Sequence, residues 1–375
     1  MTGHVAQAFS RSILHLIILP TEKCNFRCTY CYEDFEIGKM SRETVEAIKR
    51  HIDARLDRGV EHLVLSWFGG EPLLASDVIE DLCNHAQARQ ADGRLHSFRG
   101  DITTNAYLLT PANLKRMVGL GQSEFQVSLD GFGAGHDQTR RYISGKGTFE
   151  TVWANLLAAR DSDLDFKITL RCHLTSANSE SIAHLVDAIS QEFAGDRRFS
   201  VFFKTIENLG GPNAASIHKM SVAQAKALTA GLQTKLAAAG LGVSAVLEGP
   251  ESNTGLGKDA GVGAGTQLQA AEATLAPRTP GKYDFDGYIC YASKPNSLMI
   301  RADGRIGKCT VLMHDERNTV GRLNPDGSLT LDGALINQVW MRGFVSMDAG
   351  ELGCPAMGMP KAAPQPRVLK LAELA

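Results

Sequence analysis

The segment Ile13-Leu-His-Leu-Ile-Ile-Leu-Pro-Thr-Glu-Lys-Cys-Asn-Phe-Arg-Cys-Thr-Tyr-Cys-Tyr32 carries the strongest structural signal in this chain. It opens with the apolar run 13–19, which is typical of a buried β-strand. The loop after this run brings Cys24, Cys28 and Cys31 together in the spacing C-x3-C-x2-C. Thiolates are the usual ligands of iron–sulfur clusters, and four of them normally complete a four-iron cluster. Three ligands on one loop leave one iron open, as in metal sites that do chemistry.

A zinc site or a group of unmetallated thiols is the alternative explanation of this spacing. A tetrahedral zinc site needs a fourth cysteine or histidine nearby, and none follows Cys31 in the sequence before His51. The chain has eight cysteines in 375 residues, so the spacing needs support from other motifs.

The loop resembles the cluster-binding loop of the radical S-adenosylmethionine (SAM) enzymes, including the aromatic Tyr30 before the third cysteine. The resemblance implies a [4Fe–4S] cluster whose open iron chelates the amino and carboxylate groups of SAM. It also implies that reduction splits the sulfonium and releases a 5′-deoxyadenosyl radical, which abstracts hydrogen from the substrate. In such enzymes the cofactors carry the chemistry, while the protein binds, orients and excludes side reactions.

Composition describes a globular protein with a substantial core, because 43% of the residues are hydrophobic and 21% are charged. The net charge of −2 and the pI near 6.6 predict neither nucleic-acid nor membrane binding. The run 13–19 is too short to span a bilayer, and no signal-peptide pattern is present. Cysteines at metal-like spacing without a secretion signal favour a reducing, cytoplasmic location.

Short apolar runs alternate with helical patterns from residue 13 to about 206. Such β-α alternation predicts parallel strands with helical crossovers, in either an open doubly wound sheet or a barrel. The resemblance implies an α/β protein with a partial (β/α)6 TIM-like barrel and its cysteine loop at the carboxyl ends of the strands. The predicted strands are 13–19, 62–68, 97–103, 124–129, 165–173 and 199–206. The predicted helices are 41–57, 76–90, 111–120, 148–160, 178–193 and 221–239.

A change of composition divides the chain after the barrel. Gly-Val-Gly-Ala-Gly and Ala-rich pieces indicate a linker, with a flap over the barrel mouth as the alternative. Beyond it, Asp303-Gly304 between two short runs predicts a β-hairpin, and Pro325-Asp326-Gly327 predicts another turn. The predicted organisation is an N-terminal tail 1–12, a barrel 13–245, a linker or insertion 246–282, a small C-terminal β-hairpin/helix module 283–356 and a tail 357–375.

Polar and glycine-rich motifs follow the strands where the resemblance places SAM. The two glycines of Gly69-Gly70-Glu71-Pro72 permit close backbone approach, and the resemblance implies that this motif meets the SAM amino group. Hydroxyl, amide and carboxylate groups after the third and fourth strands suit the polar edges of an adenosine. The candidate cofactor-binding residues are Tyr30, Gly69, Gly70, Glu71, Asn105, Ser128, Asp130, Arg140 and Arg171.

An arginine after the Ser-Leu-Asp-Gly motif contacts SAM in the peptide-modifying branch of the family. Arg140 matches it by spacing, with Arg141 as the alternative, and a guanidinium suits the carboxylate of SAM. Lys204, Glu207 and Asn208 end the sixth strand and are candidates to face the substrate. No residue stands out as a general base.

Cys290, Gly304 and Cys309 form a second pattern, C-x13-G-x4-C. It resembles the opening signature of SPASM and twitch domains, which bind auxiliary four-iron clusters, and Cys354 is the third predicted ligand. The further cysteines of a full SPASM domain are missing, so a twitch-like module with one auxiliary cluster fits better. Its fourth iron is open to substrate or takes His314, an acidic side chain or a small thiol; a module without a cluster is the alternative.

Family members with these motifs mostly modify peptides or proteins. Sulfatase-maturing members usually carry an acidic residue where this chain has Thr310, which disfavours that activity. The leading prediction is maturation of a ribosomally made precursor peptide, most often by cross-linking, with flavodoxin or ferredoxin as reductant. Because only about a dozen residues precede the first strand, a separate leader-binding protein is a further predicted partner. The alternatives are a dehydrogenase or epimerase acting on a small molecule such as an aminoglycoside, and a non-catalytic iron–sulfur or zinc scaffold.

Overall fold

Six β-α units form the first part of the chain, as the alternating apolar pattern predicts. The computed structural model describes residues 3–209, 217, 219–244 and 289–359. Strands β1 to β6 are Ile13–Ile18, His62–Trp67, Ser97–Thr104, Gln122–Leu129, Lys167–Leu174 and Phe199–Thr205. Helices α1 to α8 are Gly3–Ala8, Arg42–Leu56, Ser76–Ala91, Pro111–Gly119, Ala134–Asp137, Phe149–Arg160, Ser179–Glu192 and Val222–Ala238.

Helix α2 shows why these segments fold locally as predicted. The hydroxyl of Ser41 accepts a hydrogen bond from the backbone N–H of Thr44 at 3.1 Å, which satisfies a donor that a helix start leaves unpaired. Val45, Ile48 and Ile52 are buried at helical spacing and belong to the main core. The β1 side chains in the same core are Leu14, Leu16 and Ile18, which alternate along the strand and so share one face of the sheet.

The strands form one sheet in the order β11-β10-β9-β8-β1-β2-β3-β4-β5-β6-β7. The added strands are β7 (Gly242–Ser244), β8 (Ser297–Ile300), β9 (Arg305–Gly307), β10 (Gly321–Leu323) and β11 (Leu329–Leu331). All neighbours from β1 to β7 are parallel. The order does not close on itself, which is consistent with a partial barrel, and the parallel strands with helical crossovers confirm the predicted α/β class.

The C-terminal module continues this sheet. Strand β8 pairs in parallel with β1, and β8 to β11 then run antiparallel to one another. The predicted turn after Pro325 docks on α2, where the ring Nδ1 of His51 donates to the carbonyl of Gly327 at 3.0 Å. The module therefore begins beside the strand that leads into the cysteine loop. Its further helices are Gly333–Leu335, the π-helix Ile336–Trp340, Arg342–Ser346 and Ala349–Gly353.

Two differences from the predicted organisation are visible. Part of the predicted tail 1–12 is helical, as α1, and a short seventh parallel strand, β7, follows α8. The predicted linker 246–282 and most of the tail 357–375 lie outside the described residues, and the domain boundaries stay predictions. Among the helices described, none combines the length and apolar composition needed to cross a bilayer.

Candidate functional site

The carboxyl ends of the parallel strands surround one pocket that collects most of the predicted site residues. Loops after parallel strands meet at the same edge of a sheet, which is why separate motifs converge there. Among the cysteines of the first loop and the predicted SAM-binding residues, Glu71 and Asp130 are the two that do not line this pocket. The predicted residues in its lining are Cys24, Cys28, Cys31, Tyr30, Gly69, Gly70, Asn105, Ser128, Arg140 and Arg171.

The cysteine loop is held by hydrogen bonds to its sulfur and backbone atoms. The Sγ of Cys24 accepts from the backbone N–H of Phe26 at 3.3 Å and from the Asn105 amide at 3.8 Å. The N–H of Cys31 donates to the carbonyl of Cys28 at 3.1 Å. All three thiols are free of disulfides and are half-buried, so they are accessible for ligation.

The two glycines after β2 act on the cysteine loop itself. A Cβ at Gly69 would lie 2.5 Å from the carbonyl oxygen of Thr21, and one at Gly70 would lie 2.3 Å from that of Lys23. Gly69 also has a positive φ of 93°, which side chains rarely adopt. The motif is therefore needed for contact between two protein loops, in addition to any contact with a ligand.

Glu71 lies behind the pocket wall and is fully buried. Its carboxylate accepts hydrogen bonds from the N–H groups of Leu73 and Asn105, at 3.0 and 2.8 Å, and from the hydroxyl of Thr104 at 2.8 Å. Burial raises its pKa, although these bonds oppose the shift. Glu71 thus ties the end of β2 to the end of β3, and its direct contact with SAM stays a prediction.

The hydroxyl of Tyr30 is the centre of a buried polar network. It accepts from Arg140 at 2.6 Å and donates to Asp130 at 3.0 Å, and the ring Nδ1 of His173 lies 3.0 Å away. Asp130 also accepts from the hydroxyl of Thr139 at 2.5 Å. Asp130 therefore positions the residues that line the pocket, rather than lining it.

The charges of this network follow from burial and from its neighbours. Burial alone would raise the pKa of Asp130, but the hydrogen bond from His173 and the charge of Arg140 hold it well below its usual value. Burial, and then the charge of Arg171, lowers the pKa of His173 to about 4. A neutral His173 donates from Nδ1 to the ionised Asp130 at 2.9 Å. The positive charge of the Arg140 guanidinium is therefore balanced by the negative charge of the Asp130 carboxylate.

The Nε–H of Arg140 is a hydrogen-bond donor that no described residue accepts. Among the described residues its Nε has no hydrogen-bond partner although it is buried, and such donors normally find one. Its position in the pocket lining suits a carboxylate. Arg141 is exposed and outside the pocket, so Arg140 is the one of the two placed to meet a ligand there.

His173 and Glu33 are among the pocket residues that sequence reasoning missed. His173 lies inside strand β5 and belongs to no motif, so it was not predicted. Side chains alternate between the two faces of a strand, and His173 therefore shares a face with Arg171. Glu33 directly follows Tyr32 after the cysteine loop; it is buried, and its Oε2 has no partner among the described residues. Glu207 also lines the pocket and pairs with Lys204 at 2.6 Å.

The three cysteines offer the thiolate ligands that iron–sulfur clusters use. Within the described ranges, no group of three or more His, Cys, Asp or Glu side chains is placed to hold a metal ion. A cubane binds each thiolate on a different iron, so its ligands need not converge on one point. Burial raises the pKa of Cys24 to about 12 and raises those of Cys28 and Cys31 as well. Ligation must therefore displace a proton from each sulfur.

The second set of cysteines also comes together. Cys290, Cys309 and Cys354 are buried and free of disulfides. Burial, followed by the proximity of Cys309 and Cys354, raises the pKa of Cys290 to about 12. His314, a predicted fourth ligand, instead lies 2.9 Å from the carbonyl of Tyr32 in the first loop. Ligation of an auxiliary cluster stays a prediction.

Comparison with known families settles the class of the barrel. Residues 18–189 match the model of the radical SAM superfamily. This segment is a radical SAM domain. Enzymes of this superfamily use SAM and a [4Fe–4S] cluster, as the cysteine loop predicts.

Curated relatives of the chain are named GTP 3′,8-cyclases. One, from Aliarcobacter butzleri, is 27% identical over 216 residues, which cover 55% of this chain and 60% of the relative. Another, from a Sulfurovum species, is 27% identical over 206 residues, which cover 53% and 56% of the two chains. The chain therefore spans somewhat more than half the length of these relatives.

Solved structures with the same fold cover more of the chain. The structure of anSMEcpe with bound AdoMet is 18% identical, covers 88% of this chain and 79% of the other, and has a TM-score of 0.60. Streptococcus suis SuiB bound to its precursor peptide SuiA is 17% identical, covers 92% and 70%, and has a TM-score of 0.58. At such identities the likeness shows the fold alone.

The curated relatives correct the predicted function. Maturation of a ribosomally made precursor peptide is contradicted, because these relatives are named for a cyclase that acts on GTP. The motifs behind that prediction lie in the barrel and at the predicted SAM site, which peptide-modifying and nucleotide-modifying radical SAM enzymes share. A separate leader-binding protein was predicted only for a precursor-peptide substrate, so that prediction no longer has a basis.

Proposed function

We propose that this protein is a radical SAM enzyme that abstracts hydrogen from a small polar molecule held at the mouth of the barrel. The observation that carries the proposal is the pocket in which Cys24, Cys28 and Cys31 lie beside Arg140 and Asn105. When bound there, a [4Fe–4S] cluster supplies the electron that splits SAM into methionine and the 5′-deoxyadenosyl radical. The first substrate to test is a purine nucleoside triphosphate, since the curated relatives are named for GTP.

The residues of the chain bind and orient SAM in this proposal. Arg140 donates its unpartnered Nε–H to the carboxylate of SAM, while Tyr30 holds the other end of its guanidinium. Ser128 and Asn105 present a hydroxyl and an amide to the polar groups of the adenosine. The two glycines after β2 keep the cysteine loop in place.

Arg171, Lys204 and Glu207 are the residues we assign to the substrate side. Arg171 and Glu207 line the same pocket as the cysteines, and the 2.6 Å ion pair places Lys204 beside Glu207. Cationic groups at this end of the barrel suit an anionic or polyol substrate. Glu33, buried and with an unpartnered oxygen among the described residues, adds an acceptor for a substrate hydroxyl or amine.

The test is anaerobic turnover of reconstituted protein with SAM and dithionite. We expect 5′-deoxyadenosine to form, and to form faster with GTP than with other nucleotides, with deuterium moving from labelled GTP into it. A Cys28→Ala variant abolishes this formation. A Cys83→Ala variant is the matched control, since Cys83 is a fully buried thiol on α3, away from the pocket. Normal 5′-deoxyadenosine formation in the Cys28→Ala variant would rule the proposal out.

We also propose one auxiliary cluster at Cys290, Cys309 and Cys354, with its fourth ligand open. The burial of all three thiols supports it, because a cluster needs shielding from water and oxygen. Reconstituted protein with Cys24, Cys28 and Cys31 changed to alanine should still hold about four irons per chain. If essentially no iron remains in that variant while the wild type binds about four, the module is structural only.

A separate protein reductant completes the proposal. Reductive cleavage of SAM consumes one electron, which a donor protein has to deliver to the cluster. A flavodoxin or ferredoxin in a reducing cytoplasm would supply it.

A further inference from the structure

The cysteine loop has an outward surface that the proposed chemistry does not use. Residues 139–146, called the strap, run antiparallel along it. The N–H of Arg27 donates to the carbonyl of Arg141 at 2.8 Å, and the N–H of Ile143 donates to the carbonyl of Asn25 at 2.8 Å. The strap is therefore the outer neighbour of the backbone around the first two cysteines.

Four cationic side chains are exposed on this surface, and backbone carbonyls are the hydrogen-bond partners recorded for three of them. Lys23 donates to the carbonyl of Phe35 at 2.6 Å, Arg27 donates to that of Cys24 at 2.8 Å, and the Nε of Arg141 donates to that of Asp137 at 2.9 Å. A carbonyl is neutral, so these bonds leave the positive charges uncompensated. Within the described residues none of the four forms an ion pair, unlike the exposed Lys39, which pairs with Asp77. The four cations are Lys23, Arg27, Arg141 and Lys146.

An apolar group lies among these charges. Ile143 is 55% exposed in the middle of the strap, between Arg141 and Lys146. The guanidinium of Arg27 also stacks 4.3 Å above the ring of Phe35. A small apolar centre with a charged rim is the usual anatomy of a protein-docking surface. The adjoining segment 34–36 carries two exposed carboxylates, Asp34 and Glu36, against the four cations of this surface.

We propose that this surface docks an acidic one-electron carrier protein, an inference that rests on the proposed function. Opposite charges steer such a carrier to the patch and fix its orientation. The whole chain has a net charge of −2, so the attraction is local to the strap. Arg27 lies between Cys24 and Cys28 in the loop, so a carrier seated here is next to the ligands. One electron leaves the reduced carrier, which is oxidised, and enters the iron–sulfur site, which is reduced; no covalent bond changes at the surface.

The experiment compares two charge-reversal doubles of the reconstituted full-length protein. Arg141→Glu/Lys146→Glu changes the strap. Arg58→Glu/Arg197→Glu is the matched control, because both arginines are exposed in the turns before β2 and β6, at the opposite end of the barrel, and the net charge changes equally. Two quantities are measured: 5′-deoxyadenosine formation against the concentration of reduced flavodoxin or with dithionite alone, and calorimetric binding of oxidised flavodoxin to cluster-free protein.

For the strap double we expect the half-saturating flavodoxin concentration and the dissociation constant to rise about tenfold, with the dithionite rate unchanged. The control double stays within about twofold of wild type. Equal weakening of both doubles would show that only the overall charge matters and would overturn the proposal, as would no weakening at all. If the strap double also loses its dithionite rate, the calorimetric titration decides. A wild type inactive with dithionite refutes the proposed function, whereas unaltered flavodoxin binding by the strap double refutes this inference alone.

Discussion

Two adjacent arginines show how a single position decides a role. Arg140 is buried in the pocket and bonded to Tyr30, while Arg141 faces solvent. In an Arg140→Met variant we expect the dissociation constant for SAM to rise by roughly 10- to 100-fold, because a charged hydrogen bond to the carboxylate is lost. Equilibrium dialysis of radiolabelled SAM against the reconstituted protein measures it. An Arg141→Met variant is the control and should bind SAM within about twofold of wild type; equal losses in the two variants contradict the assignment.

A second residue-scale prediction concerns pH. Asp101 is buried on β3, where it accepts from the hydroxyl of Ser66 at 2.6 Å. Burial raises its pKa from 3.8 to about 7, although that hydrogen bond opposes the shift. Between these two values the unfolded chain has lost the proton that the folded chain keeps. The free energy of unfolding contributed by Asp101 therefore falls as pH rises from about 4 to 7, by ~1.4 kcal/mol per unit, and is level above that range.

Urea unfolding of cluster-free protein between pH 5 and 8 checks this dependence. An Asp101→Asn variant removes the titrating group and should show a flatter stability profile than wild type over this range. Asp163→Asn, at an exposed position, should keep the wild-type slope. Parallel profiles for wild type and the Asp101→Asn variant would show that the carboxyl does not titrate there.

At the scale of elements, the loop after β2 and the cysteine loop depend on each other. A Cβ at Gly70 would meet the carbonyl carbon and oxygen of Lys23, at 2.5 and 2.3 Å. We expect a Gly70→Ala variant to be about 1–3 kcal/mol less stable and to retain less iron, because the loop backbone must move. Iron analysis and thermal unfolding measure both quantities. The control is Gly38→Ala, in the segment after the cysteine loop, where a Cβ has nothing within 4 Å. If the Gly38→Ala variant also lost iron, the loop would be sensitive to substitution in general.

At the scale of the whole molecule, a buried ion pair joins the C-terminal module to the barrel. Arg301, just after β8, pairs with Glu22 in the segment that leads to the first cysteine, and their side chains are 7% and 2% exposed. A Glu22→Gln variant leaves the arginine charge buried without its partner. We expect a loss of about 3–5 kcal/mol in the free energy of unfolding, together with faster proteolysis of the module, followed by mass spectrometry.

The exposed pair of Lys235 and Asp187 provides the comparison. Its side chains are 49% and 56% exposed, so an Asp187→Asn variant should lose no more than about 1 kcal/mol. A Glu22→Gln variant with wild-type stability would show that the module is held by its strand pairing alone. The same module meets the loop again through the hydroxyl of Tyr32, which donates to the carbonyl of Thr310 at 3.0 Å. Displacement of the module should therefore disturb the cysteine loop.

Local patterns account for the parts of this protein that the sequence determines. The run 13–19, the cap at Ser41 and the spacing of the three cysteines each act over a few residues, so periodicity and side-chain chemistry reveal them. The strands and helices of the barrel consequently begin and end within a few residues of their predicted bounds. The resemblance to radical SAM enzymes starts from the same loop, because the spacing of its three cysteines is a local feature.

Only the tertiary structure decided which of these residues share the pocket. Asp130 and Glu71 belong to the predicted motifs but lie behind the wall, whereas His173 and Glu33 line it without any motif. Strand order has no local signature, so nothing in the sequence placed β8 beside β1. Substrate choice depends on side chains that several loops bring together, and the precursor-peptide prediction failed there. The sequence by itself thus determined the β-α alternation and the cysteine loop, because these rest on short-range spacing. The pocket depends on contacts between distant segments, which only the tertiary structure shows.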